Sequence, residues 1–185
     1  MMRVYIPATL AMLQQLVADG SMFPVSGTAF AVTPTLREAY AEGDDDELAE
    51  VARGEAALAS LRLLSFDEDD AEQSELADAA EPPAVEGGAP LPIRRVVLVA
   101  DVENAKIRPD LDDAVVRLGG PVALTDVAAA FVDLAAAEPA VQAALKVIDA
   151  ADLGDEDAEL VVGDAQDHDM AWYATQELPF LLEFL

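Results

Sequence analysis

Cysteine is absent from the chain, histidine occurs once, at His168, and lysine only twice. Without cysteine there is no disulfide framework, no thiolate zinc site and no thiol nucleophile, and the chain suits a reducing compartment. A serine–histidine hydrolase is equally unsupported, since no serine stands in a glycine-flanked elbow that the one imidazole would serve. Phosphate loops are missing too. Gly119-Gly120-Pro121 is not followed by Lys and Ser or Thr, and Gly87-Gly88 leads into a proline-rich stretch rather than a helix, so no nucleotide and no other cofactor is expected.

Long apolar runs are also lacking. The alanine-rich stretch from Ala128 to Ala137 is broken by Asp133 and flanked by Asp126 and Glu138, well short of the roughly 18 apolar residues that cross a bilayer. The N-terminus has a short apolar run stopped by Pro7 and no secretory h-region, so the expectation is a cytoplasmic protein with no membrane association. Positive charge is the scarcest resource of all. Ten Lys and Arg face 37 Asp and Glu, a formal charge of −27. Such a field opposes phosphate backbones, so no direct nucleic-acid binding is expected, and it favours a basic protein partner or a divalent cation. Its first-order meaning is solvation, with function second.

What is present is ample apolar material. Hydrophobic residues make up 53% of the chain, with six Phe, three Tyr and one Trp, enough for the core of one α+β domain over residues 1–185. Arg3-Val4-Tyr5-Ile6 reads as a first strand. Thr9 then caps a helix with Leu10, Leu13, Leu16 and Val17 on one stripe and Gly20 at its C-terminal end. Thr33-Pro34 opens a second helix that Gly43 stops, and Asp44 to Asp46 start a third running to about Leu64, so a helical hairpin is inserted here. From about 67 to 92 the composition turns to Asp, Glu, Ala, Pro and Gly and reads as an acidic linker interrupting the domain.

Val96-Val97-Leu98-Val99 is the clearest strand, a continuous apolar run suited to burial on both faces. Ala114 to Leu118 and Phe131 to Leu134 are further strands, with a short helix from Leu124 behind Thr125 and another after Pro139 carrying Val141, Leu145 and Ile148. Asp167 is expected to open a last helix through Tyr173 toward Leu178, which Pro179 breaks. With the hairpin and C-terminal helices set aside, the order strand, helix, strand, strand, helix, strand fits a ferredoxin-like split βαβ core.

Chemistry-bearing residues are sparse. Asp164 and His168 stand four apart, the one helical pair in an Asp-rich stretch that would offer a divalent metal an oxygen and an imidazole, although helix capping is the plainer reading of these aspartates. Asp101 and Glu103 follow the buried strand as a candidate carboxylate pair, with a polar turn as the plain alternative. Trp172 and Tyr173 are candidate binding aromatics or core. The tail Phe180-Leu181-Leu182-Glu183-Phe184-Leu185 either docks on its own sheet or presents Phe180 and Phe184 to a partner, a second copy of the chain included. The clusters at Asp44 to Glu47, Asp67 to Asp70, Asp110 to Asp113 and Asp152 to Asp157 lack the ligand spacing of a calcium loop.

Read as strings, Arg3-Val4-Tyr5-Ile6-Pro7-Ala8-Thr9, Gly27-Thr28-Ala29-Phe30-Ala31-Val32-Thr33-Pro34, Leu36-Arg37-Glu38-Ala39-Tyr40 and Trp172-Tyr173-Ala174-Thr175-Gln176-Glu177-Leu178 resemble a family of uncharacterised actinobacterial proteins. The resemblance spans most of the chain outside the linker. It implies a cytoplasmic protein and assigns no activity, so no residue inherits a role. The functional expectation is a non-catalytic interaction or regulatory module. Its alternative is a small carboxylate-dependent enzyme or ligand-binding protein, and a narrower idea is a nucleic-acid mimic filling a basic groove.

Overall fold

Strand β1 (Met2–Ala8) lies in the middle of a seven-stranded sheet, hydrogen-bonded on one side to β3 (Thr28–Phe30) and on the other to β4 (Val96–Val102), both antiparallel to it. Beyond β3 come β6 (Val115–Leu118) and the edge strand β5 (Ala105–Ile107); beyond β4 come β8 (Val127–Asp133) and the other edge, β9 (Met170–Ala174). A separate two-stranded ribbon joins β2 (Ser21–Met22) to β7 (Val122–Ala123). This computed structural model describes residues 1–40, 42–77 and 91–185, with the backbone alone for 68–77.

Alternation along each strand sends side chains to both faces, and both faces are covered. On one, Val4, Ile6, Leu98 and Val132 pack against Leu10, Leu13 and Leu16 of helix α1 (Leu10–Asp19) and Leu178 and Leu181 of α7 (Leu178–Glu183). On the other, Tyr5, Phe30, Val97 and Val99 meet Leu48, Ala52, Ala56 and Ala57 of α3 (Asp45–Ala77), whose small residues let the helix lie close to the sheet. Each fully buried aliphatic side chain in these layers contributes about 1.5–3 kcal/mol. A third cluster extends outward from Leu61 of α3 to α4 (Glu138–Leu145), α5 (Ile148–Asp152) and α6 (Glu156–Gln166).

Local chemistry explains the helix starts. The Thr9 hydroxyl accepts from the Met12 N–H at 3.3 Å and the Thr33 hydroxyl from the Leu36 N–H at 3.1 Å, each satisfying a donor the first helical turn leaves orphaned. Helix α2 (Pro34–Ala39) thus begins as expected, and Gly20 closes α1 in the left-handed conformation. Asp44 and Glu47 form a reciprocal cap for α3: the Asp44 carboxylate accepts from the Glu47 N–H at 2.9 Å, and the Glu47 carboxylate from the Asp44 N–H at 3.3 Å.

The α+β class stands, and the strands containing Tyr5, Leu98, Val116 and Val132 share one sheet with α1 against it. The ferredoxin-like core, however, needs β1 and the strand after its helix to run parallel with another strand between them. Here the strand after α1 in the main sheet, β3, bonds β1 directly and antiparallel. A split βαβ unit does occur, but it is β3–α3–β4 with β1 in the gap. The helical hairpin is α2 and α3, and α3 runs past Leu64 to Ala77, into the stretch read as linker from Asp67; residues 78–90 of that stretch lie outside the described residues.

Three other expectations are corrected. The helix placed from Asp167 through Tyr173 is the edge strand β9, because Ala129 to Asp133 offer a free ladder that Met170-Ala-Trp-Tyr-Ala can join. Pro179 starts α7 instead of breaking a helix, occupying a first-turn position where its missing N–H costs nothing. The helix placed after Leu124 is a single 3₁₀ turn without a Thr125 cap, followed at once by β8.

Candidate functional site

The long central helix is fastened to the sheet by a buried serine. Ser60 Oγ donates to the Ala8 C=O at 2.7 Å and accepts from the Val96 N–H at 3.0 Å, bridging the last register pair of β1 and β4. Beside it, Arg95 and Asp133 form an ion pair with each residue only 1% exposed. Arg95 Nε donates to one Asp133 carboxylate oxygen at 2.8 Å and Nη2 to the other at 2.6 Å, while its remaining donors reach the Gln166 side chain at 2.8 Å and the His168 C=O at 2.9 Å. Gln166 passes the chain on to the Gly54 C=O at 3.1 Å. The network locks α3, the end of α6 and the start of β9 into one body, and a buried charge so fully paired is structural.

Asp101 and Glu103 line a cleft of about 580 Å³ with Gly119, Gly120 and Asp126. Asp101 lies within β4, not past its end, and opposite Arg3 in register. Arg3 donates to its two carboxylate oxygens at 3.1 and 3.0 Å, and that bidentate contact holds the carboxyl below its ordinary range. A carboxylate held ionised in this way is a poor proton donor at neutral pH.

Asp164 sits on α6, and the helix ends at Gln166, so His168 lies beyond the helix that carries Asp164. The His168 N–H bonds the Ala165 C=O at 3.3 Å and its own C=O serves Arg95. Among the described residues, no three His, Cys, Asp or Glu side chains converge on a point suited to a metal ion.

The aromatics fare differently. Trp172 and Tyr173 project from opposite faces of β9: Trp172, 57% exposed, lines a groove of about 270 Å³ together with Tyr5, Phe131, Glu50 and Arg53, and the Arg53 guanidinium rests 4.6 Å over the Phe131 ring. Tyr173 lines a second concavity of about 440 Å³ with Phe180, Leu181, Phe184 and Glu177. The tail divides within one helix turn: Leu178 and Leu181 are buried in the core, while Phe180 is 63% and Phe184 87% exposed. Four candidates from distant considerations thus come together at one edge of the sheet. Glu50, Arg53 and Phe131 line the groove of Trp172, and Glu177 the concavity of Tyr173; none carries a signal in the sequence, because what places them is the packing of α3 on the sheet and the position of Glu177 just past the edge strand.

An α+β protein with a twice-covered antiparallel sheet and an aromatic, acid-rimmed edge is the class these observations define. The chain belongs to a family of unknown function, DUF6912, whose model matches residues 2–182. No curated protein and no solved structure matches the chain. Among the described residues, no helix is long and apolar enough to cross a membrane.

Proposed function

We propose that the protein is a non-catalytic interaction module of the cytoplasm that takes a basic protein partner along the β9 edge, where Trp172 stands on one face and Tyr173, Phe180 and Phe184 on the other. The observation that carries this reading is the exposure of three large aromatic side chains at one edge, Trp172, Phe180 and Phe184, in a chain of charge −27. Exposed aromatics clustered beside charge are the composition of an interface centre with its rim. Asp164, Asp167 and Asp169, ahead of β9 in the chain, and Glu183 on α7 are exposed, and their charge steers a basic partner toward this end of the protein.

The test separates the two contributions. A partner recovered at low salt is presented to Phe184→Ala, for which dissociation is expected to accelerate about tenfold while the isolated variant melts like the parent. Replacing Asp164, Asp167 and Asp169 by Asn is expected to slow association with little effect on dissociation. Unchanged dissociation for Phe184→Ala would overturn the reading. A second reading, a carboxylate-dependent ligand site, is favoured by the cleft that brings Asp101 and Glu103 beside Asp126; saturable binding of a small cationic metabolite, lost in Glu103→Gln, would support it.

A further inference from the structure

Among the described residues, strand β9 closes the sheet on one side and pairs with β8 alone. Two hydrogen bonds reveal where its backbone groups point. The Ala174 N–H donates to the Glu177 carboxylate at 2.8 Å, not to β8. The N–H of Asp133, the residue opposite Met170, donates to the Arg95 C=O at 3.1 Å, toward β4. In an antiparallel ladder facing residues exchange both bonds or neither, in alternation. Asp133 with Met170, Phe131 with Trp172 and Ala129 with Ala174 are therefore the pairs that exchange none. The N–H and C=O groups of Met170 and Trp172 face away from the sheet.

Exposed edges of this kind are usually blunted by charge, by proline or by shortness. The opposite edge is: β5 has three residues, carries exposed Lys106 and runs into Arg108 and Pro109. Strand β9 has five residues and the sequence Met-Ala-Trp-Tyr-Ala, with neither charge nor proline. It is also flanked on each face by a concavity, that of Trp172 and Phe131 bordered by Asp46 and Glu50, and that of Tyr173, Phe180 and Phe184 bordered by Glu177.

We infer that β9 accepts an added β-strand, a basic extended segment of another protein whose apolar side chains enter the two concavities and whose Lys and Arg meet Asp46, Glu50, Asp169 and Glu177. The inference rests on the basic-partner reading above and adds the mode of recognition. Main-chain bonds to Met170 and Trp172 give affinity, and alternate side chains of the incoming strand reach the two faces in turn. Charge selects this occupant over a second copy of the chain, since two chains of −27 would bring their own acids together at the same edge.

A labelled peptide repeating Lys-Lys-Val-Val, which offers both residue types to each face, tests this on the whole chain, with a Glu-Glu-Val-Val repeat as control. Hydrogen exchange is expected to show the Met170 and Trp172 amides protected on addition of the lysine peptide. Trp172→Pro removes the outward N–H while leaving the bonds to β8, a position where edge strands tolerate proline; Trp172→Ala removes the ring and keeps the N–H. The proline variant is expected to bind about tenfold more weakly than the alanine variant. Equal affinities of the two variants, or protection confined to the Asp101 cleft, would overturn strand addition. So would a concentration-dependent dimer of the free chain protecting the same amides, which assigns the edge to a second copy. Should Trp172→Pro fail to fold, the exchange pattern of the parent chain decides. Weakening by Phe184→Ala with no difference between the two Trp172 variants would remove strand addition and leave the basic partner standing, whereas equal binding of both peptides would remove the basic partner itself.

Discussion

Among the described residues, Arg95 and Asp133 are the two charged residues buried in the interior. The Asp133 carboxylate accepts from Arg95 Nε, Nη2 and the Arg95 backbone N–H, all shielded from solvent. Asp133→Ala leaves a guanidinium buried with part of its donors unmet, which costs about 3–5 kcal/mol, measurable as a lower urea midpoint with little change in slope. Glu55 on α3 argues in the other direction. Burial, helped by Asp112, pushes its carboxyl above the ordinary value, against a smaller opposite pull from Arg62. A carboxyl raised in the folded state is easier to protonate there than in the unfolded chain, so its charged form costs stability above the raised value and costs nothing below the unfolded one. Glu55→Gln is therefore expected to raise the thermal midpoint at about pH 7, with the gain shrinking as pH falls through the carboxylate range. A gain of equal size across that range would assign the effect to something other than ionisation.

At the scale of elements, legibility follows whether the signal is local. Thr9, Gly20, Thr33 and Pro34 are caps whose partners lie within a few residues and operate where the sequence placed them, and the acidic start expected at Asp44 to Asp46 opens α3, with Glu47 joining Asp44 in the cap. Val96 to Val99 reads as a twice-buried strand and is one, because both α1 and α3 cover it. Strand β9 was not legible: His168 to Tyr173 has aspartates ahead of an apolar stretch, the same pattern as a helix start, and only the open side of β8 decides for a strand. Strands β3 and β5 are three residues each and exist through their pairing with β1 and β6. Gly27 shows the same dependence. It has φ +67 and sits so close to β6 that an added Cβ would lie 2.8 Å from the Leu118 C=O, a demand invisible in a string that also reads as an ordinary turn.

The whole molecule is dominated by its charge. Among the described residues Arg3, Arg37, Arg62, Arg94, Arg95 and Arg108 each pair with a carboxylate, which still leaves most of the 37 acids unneutralised. Mutual repulsion strains the folded state more than the expanded one, and it is screened once the Debye length falls from about 10 Å at 0.1 M salt to about 3 Å at 1 M. The thermal midpoint is expected to climb as sodium chloride is raised over that range. A midpoint that falls would mean that the exposed ion pairs outweigh the repulsion.

Composition and local pattern by themselves determined the acidity, the absence of thiols, the α+β class, the helix caps and the buried central strand, since each of these depends on residue type or on neighbours within a turn. Candidate residues were legible as types: Trp172, Tyr173, Phe180 and Phe184 stood out as large apolar groups near the end of the chain. Tertiary structure alone decided that they share an edge and that Leu178 and Leu181 are core while Phe180 and Phe184 face water. It also decided that Asp101 is spent on Arg3, that His168 lies beyond the helix carrying Asp164, and that Arg95 finds Asp133 in the interior. The physical reason is common to all of them. Pairing across a sheet and packing of a helix above it bring together residues tens of positions apart, and the free energy that selects those partners comes from burying both members at once.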